Sequence, residues 1–374
     1  TLSIYFLELL HYKRIHMIQF VGGISMRPLV LSLLLVAFLS TSTCFAWSKH
    51  QMMTKEVLKD IPWITAMEFV EITPMTYEVE PMNGAYEFKY VEGQIGETTD
   101  ALTILSTYAD EPDWGPDQEL KLSWQQKFMG GYTGKTSRGY IHCYYPAGSF
   151  NIPVPGMAMG MTPKRIEQIF TLVKEAVKKG DTYWALRFTA WCLHYIQDLT
   201  QPYHSTQTSP IFYWKENLPG EFVKGTTKVT GNYHFAFERI TAWRIERELD
   251  GLENELYVTA LRTTGETTIA DGKGLKCFAK GVARKSHKYS KRAFRDTKDF
   301  FGKKFYVAET VYPDETDYTK PGEGDSKERL RNTVTSCLKL LANSTRTIVQ
   351  QTHKLLDERR ATRETLGFEF LERE

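Results

Sequence analysis

The sequence has no H-E-x-x-H, which removes the common helical zinc-protease motif. It has no internal repeat and no low-complexity tract, which removes solenoids and biased disordered arrays. Neither sign of charge dominates: 47 Lys and Arg stand against 45 Asp and Glu, for a formal net charge of +2. Such a balance does not predict a dedicated nucleic-acid binder, whose domains carry a basic excess. Cysteine is scarce, at five in 374 residues, so no disulfide-dense scaffold is expected. Long apolar runs are scarce too. The one that stands out, from Leu29 to Leu39, is too short to span a bilayer, which takes roughly 20 apolar residues.

That short run has an informative setting. Met26-Arg27-Pro28 precedes it and Ser40 to Ala46 follows, which gives a basic start, a short apolar core and a small-x-small end. This is the pattern of a cleaved secretory signal, with residues 1–25 as an upstream segment. Cleavage after Ala46 would expose Trp47 and leave residues 47–374 as the mature domain, secreted or periplasmic. Four cysteines then remain: Cys143, Cys192, Cys277 and Cys337. In an exported protein an even number permits disulfides, with three pairings, and free buried thiols are the alternative.

The segment after Ala46 reads as mostly helical. Between Glu167 and Lys179 the residues Ile169, Leu172, Val173 and Val177 recur at helical steps. Gly180-Asp181-Thr182 breaks the pattern, and Asp181 or Thr182 is the expected N-cap of the next helix. That helix, Tyr183 to about Leu199, is apolar nearly all round and belongs in a core. Residues 325–360 predict another long helix, while 73–99 and 144–161 read as loops. A basic stretch, 273–304, includes Lys285, Lys288, Lys291, Arg292, Arg295, Lys303 and Lys304. It reads first as a solvated face, and second as a peripheral contact for an anionic surface.

Two histidine blocks interrupt this helical pattern. The first is His194-x3-Asp198-x5-His204 and the second is His234-x3-Glu238. Residues four apart share a helix face, so each His-carboxylate pair can address one ion. Imidazole and carboxylate are the ligands that zinc takes at catalytic sites. A single such pair is usually a surface ion pair; two of them plus His204 behind a helix-ending proline are not easily accidental. Seven of the nine histidines lie past Ala46, and only His287 and His353 of these fall outside the proposed site.

With these blocks the chain resembles the superfamily of zinc-dependent phospholipases C and single-strand-specific zinc nucleases. The motif resemblance covers Trp47 to Glu238. It implies an all-α, single multi-helix domain around a trinuclear zinc site. Carried over, a first zinc would take Asp110, His142, His194 and Asp198. A second would take His204, His234 and Glu238. A third would take the Trp47 amine and carbonyl, His50 and a bridging Asp198. Asp110 lies in Tyr108-Ala-Asp, and His142 opens His-Cys-Tyr-Tyr-Pro146. The gap between them is longer than in that family, so 111–141 is expected as an inserted loop beside the site.

The resemblance implies a secreted phosphodiester hydrolase, using zinc-bound hydroxide to attack phosphate, with Asp110 orienting or deprotonating the water. Trp47-Ser, Glu238 and the His142-Cys-Tyr-Tyr-Pro segment lean towards a phospholipase C. A single-strand-specific nuclease or nucleotidase is the alternative, and a non-catalytic secreted zinc-binding protein a further one. Residues 240–374 hold none of the expected ligands.

Overall fold

The computed structural model describes residues 49–120, 129, 137–148, 151, 155–207, 222–265, 269, 274–307 and 309–371. Trp47 and the expected signal segment lie outside the described residues. Those described form a mainly helical domain. Its helices run α1 (His50–Leu58), α2 (Pro62–Thr65), α3 (Ala101–Thr107), α4 (Arg138–His142), α5 (Thr162–Lys179) and α6 (Thr182–Asp198). They continue with α7 (Phe222–Leu249), α8 (Tyr257–Arg262), α9 (Leu275–His287), α10 (Ser290–Phe301), α11 (Glu315–Thr319) and α12 (Ser326–Leu371). A two-residue antiparallel ladder, β1 (Val70–Glu71) with β2 (Thr98–Thr99), closes the long connection before α3.

The centre of the domain is α6. Every residue from Tyr183 to Asp198 is buried, as its all-round apolar sequence requires. Around it pack α5, α3, α12 and a 3-10 turn over Tyr108–Trp114. Helix α5 begins with Pro163 in its first turn, where a missing N–H costs nothing, and starts five residues before the periodicity indicated. It ends at Gly180, whose φ of +84° is the left-handed conformation that glycine adopts cheaply. Asp181 is indeed the N-cap of α6. Its carboxylate accepts the Trp184 N–H at 3.1 Å, and also the hydroxyls of Thr73 at 2.8 Å and Tyr77 at 2.9 Å. One side chain thus caps the central helix and ties the 73–77 loop to it.

Helix α12 is longer than the sequence indicated, and α6 packs on it through Thr189 and Thr352, whose hydroxyls lie 2.8 Å apart. The four described cysteines are free thiols, with Cys143, Cys192 and Cys337 buried and Cys277 exposed. Of the two alternatives open from sequence, free thiols hold. In the basic stretch, α9 and α10 turn Ala279, Val282, Ala293 and Phe294 inward. Lys285, Lys288, Lys291 and Arg295 face solvent, and Arg295 pairs with Asp296 at 2.7 Å. No helix among the described residues is long and apolar enough to cross a membrane.

Candidate metal centre

Helix α6 carries His194 and Asp198 one turn apart, and α4 places His142 against them. The Nδ1 of His142 lies 2.9 Å from Asp198 Oδ2 and 2.9 Å from His194 Nε2, and His194 Nε2 lies 3.4 Å from the same oxygen. The far side of each ring fixes its tautomer. His194 Nδ1 is 2.7 Å from the Ala109 carbonyl, an acceptor only, so that nitrogen carries the proton. His142 Nε2 is 3.1 Å from the Asp117 carboxylate and donates there. In their neutral forms the rings therefore direct two lone pairs and a carboxylate oxygen at one point. Two lone pairs 2.9 Å apart repel unless a cation sits between them. Ligands on a tetrahedral ion with bonds of 2.0–2.1 Å are roughly 3.3 Å apart, close to the spacings seen.

A second group forms where α7 meets the turn after α6. Glu238 Oε1 lies 2.8 Å from His234 Nε2 and 3.5 Å from His204 Nε2. His204 Nδ1 faces the His142 carbonyl at 3.3 Å, which points its other nitrogen at the glutamate. Tyr203 stacks on the His234 ring, with centroids 5.1 Å apart, and Gln201 donates to Glu238 at 3.1 Å. These contacts hold the group from behind.

His50 opens α1 and reaches the other oxygen of Asp198. Its Nδ1 donates to Gln197 Oε1 at 2.8 Å, because the Gln197 amide nitrogen is committed to Thr54 and Thr345. That leaves His50 Nε2 facing Asp198 Oδ1 at 3.4 Å, and both atoms are buried without a hydrogen-bond partner. Asp198 therefore presents one oxygen to each of two sets of histidines. Three buried groups that could hold metal ions result: His142 with His194 and Asp198, His204 with His234 and Glu238, and His50 with His194 and Asp113.

Asp113 was not expected from sequence. Its Oδ1 lies 3.8 Å from His142 Nδ1 and 3.9 Å from His194 Nε2, and it also accepts from Arg138. Asp110, which was expected, stands just outside the three groups, where its carboxylate accepts the Gln51 N–H at 3.3 Å. Asp117, also unexpected, backs His142. The described part of segment 111–141 thus forms a wall of the site. Carboxylates at 110, 113 and 117 recur at steps of three and four, but Pro112, Gly115 and Pro116 keep the segment from an α-helix, and it forms a 3-10 turn followed by further turns.

Burial and charge set the protonation of the metal-free cluster. Burial pulls His142 down, but hydrogen bonds to Asp117 and Asp198 outweigh it and hold the ring at about 9. Burial, then the neighbouring His50, push His194 down to about 3. Burial would raise Asp198, yet the surrounding histidines keep it well below the usual carboxylate range. Asp110 goes the other way: burial raises it, against the pull of His50.

The 3-10 turn that carries Ala109, Asp110 and Asp113 is itself anchored. Glu111 accepts from the Arg187 guanidinium through both oxygens, from Trp191 Nε1 at 2.7 Å and from the Tyr86 hydroxyl at 2.8 Å. All its charge is buried against α6, where Arg187 lies over the Tyr108 ring at 3.6 Å. Glu111→Ala would strand the arginine, and breaking one side of a buried pair costs about 3–5 kcal/mol. A loss of that size is expected in denaturant unfolding; a change below 1 kcal/mol would show that the pair does not hold the turn.

No protein-family model matches the chain, and no curated protein matches it either.

Proposed function

We propose that the chain is an exported zinc-dependent phosphoric-ester hydrolase of the phospholipase C and single-strand nuclease superfamily, acting first on phospholipid. One observation carries this reading: each oxygen of a fully buried Asp198 faces two histidine rings, Oδ2 those of His142 and His194 and Oδ1 those of His50 and His204. His50 Nε2 and Asp198 Oδ1 face each other at 3.4 Å, buried and with no hydrogen bond of normal geometry, a placement that suits a carboxylate bridging two ions. A buried polar atom with no partner is costly, and a metal ion would supply the missing one.

His142, His194, Asp198 and Asp113 would hold one ion, and His204, His234 and Glu238 a second. His50, Asp198 and the Trp47 amine, freed by signal cleavage, would hold a third. Bound zinc would lower the pKa of water towards about 7 and neutralise charge on a phosphoryl group. The carboxylates facing the ions are fewer than the charges they meet, so the centre would favour an anionic substrate.

Asp110 and Asp113 divide the roles that sequence gave to Asp110 alone. Asp113 approaches the ring nitrogens, while Asp110 is a burial-raised carboxylate at the edge, suited to accept a proton from water. Asp113→Asn is therefore expected to lose metal affinity, and Asp110→Asn to keep its metal while turnover falls about 10²–10⁴-fold. Metal content and turnover measured on both variants check the division, and the reverse pattern would exchange the roles.

For the substrate, the phospholipid reading rests on Glu238, on Trp47-Ser and on the His142-Cys-Tyr-Tyr-Pro segment. Among the described residues Trp184, Trp191 and Tyr195 are spent on the core, while Phe69 and Tyr312 are exposed, so the aromatic residues do not decide between lipid and nucleic acid. The test is a parallel assay on phosphatidylcholine and single-stranded DNA, with and without a zinc chelator. Chelator-sensitive release of diacylglycerol is expected. Chelator-sensitive release of nucleotides would make it a nuclease, and full zinc with neither activity would make it a non-catalytic metal-binding protein.

A further inference from the structure

We infer that Asp117 is a positioning residue for metal binding, which fixes His142 as a ligand through a carboxylate–imidazole hydrogen bond; the inference rests on the metal reading above. The argument starts from the cost of the group. Asp117, Arg165 and Tyr195 are all fully buried, and they come from three separate elements. Asp117 Oδ1 accepts from Arg165 at 2.9 Å, and Oδ2 accepts from the Tyr195 hydroxyl at 2.6 Å and from His142 Nε2 at 3.1 Å. Stability is a poor reason to keep such a pair, because well-packed apolar residues of similar volume serve as well or better. What apolar residues cannot do is accept the proton of His142 Nε2.

That acceptance has a direct consequence at the other end of the ring. With Nε2 committed as donor, the neutral ring carries its lone pair on Nδ1, and it is Nδ1 that lies 2.9 Å from both Asp198 Oδ2 and His194 Nε2. A carboxylate behind a ligating histidine both locks the tautomer and makes the ring a stronger donor. The two rings of this group differ in this respect. His194 leans on a neutral backbone carbonyl at Ala109, whereas His142 leans on a carboxylate ionised by its arginine. His142 is accordingly the more strongly donating of the pair.

The surroundings keep Asp117 in place. Its own carbonyl accepts from the Ser137 hydroxyl, which in turn accepts the Leu120 N–H at 3.1 Å, so the segment is pinned to the start of α4. Helix α4 is pinned to α5 by Thr162, whose hydroxyl donates to the Ile141 carbonyl at 2.6 Å. Arg165 on α5, Tyr195 on α6 and His142 on α4 thus meet on a single side chain.

The experiment is a cobalt titration of the full, metal-stripped chain, read by visible d–d absorption, alongside thermal unfolding of the metal-free protein. Asp117→Asn keeps the shape and weakens the acceptor. The double variant Asp117→Asn with Arg165→Met removes both buried charges, so that no lone cation is left to unfold the protein. In both variants one step of the titration is expected to weaken about 10–100-fold, with an altered d–d band, while the remaining steps keep the wild-type affinity. Wild-type affinities in both variants, with Asp117→Asn merely melting lower, would overturn the inference and leave a structural ion pair. Failure of the wild-type chain to take up cobalt or zinc would instead end the metal reading on which it rests.

Discussion

Asp198→Ala is expected to release at least two metal ions and to abolish hydrolysis. No other described carboxylate faces so many rings. Its Oδ2 lies 2.9 Å from His142 Nδ1 and 3.4 Å from His194 Nε2, and its Oδ1 lies 3.4 Å from His50 Nε2 and 3.9 Å from His204 Nδ1. Removing a partner behind a ligand already costs 10–100-fold in affinity or activity, so loss of the shared ligand should exceed about 100-fold for each ion it serves. Glu238→Ala gives the contrast. Of the described histidines Glu238 faces His204 and His234, and its removal should cost one ion. Zinc per chain, measured by elemental analysis beside turnover, separates the two. An Asp198→Ala protein with normal metal content and normal turnover would end the assignment of the centre.

The helical fold was legible where the pattern was long. The steps of Ile169, Leu172, Val173 and Val177 marked α5, and the all-round apolar character of α6 marked its place at the centre. Asp181 announced itself as a cap because its side chain competes for the first free N–H groups of a helix. Candidate ligands on helices were legible for the same reason: a step of four puts His194 beside Asp198, and His234 beside Glu238, in any helix. His204 was noticed from its place behind a helix-ending proline, whereas His142 needed a resemblance, since nothing local brings α4 to the centre.

Asp113 and Asp117 were hidden by the opposite cause. They lie in Asp110-Glu-Pro-Asp-Trp-Gly-Pro-Asp117, where two prolines and a glycine write loop over the segment. Loop grammar describes local backbone preference. It says nothing of a tertiary pair such as Glu111 with Arg187 or Asp117 with Arg165, each of which pulls the segment onto the core across more than 45 residues. The same pairs explain why two arginines are fully buried, Arg187 in a helix read as apolar nearly all round and Arg165 in a turn of α5 that precedes the periodicity. The orientation of each histidine was equally out of reach, because it depends on what lies behind the ring: a carbonyl, a carboxylate or an amide.

Metal affinity should keep rising with pH well past the point where ordinary histidine ligands level off. A ligand must shed its proton before it can bind a metal. An imidazole at its ordinary value of 6.5 has done so by neutral pH, and affinity would then be flat. His142 in the metal-free protein is held at about 9 by Asp117 and Asp198 against the effect of burial, so at pH 7 it is a cation where the proposed ion would sit. One proton must leave for each ion bound there, and linkage then gives about a tenfold gain in affinity per pH unit. The gain should run from pH 7 to about 9 and stop. The stability of the metal-free fold should move the other way. A folded pKa raised from 6.5 to about 9 means that the folded state binds more protons than the unfolded one across that interval. Its contribution is complete below about 6.5 and is lost as pH rises through 9. Chelated protein should therefore melt at lower temperature at pH 9.5 than at pH 7, while metal-loaded protein should not. Competition against a zinc buffer at several pH values, with thermal melts of both forms, measures both slopes. An affinity that is flat from pH 7 to 9 would mean that His142 is not the protonated occupant of the cluster.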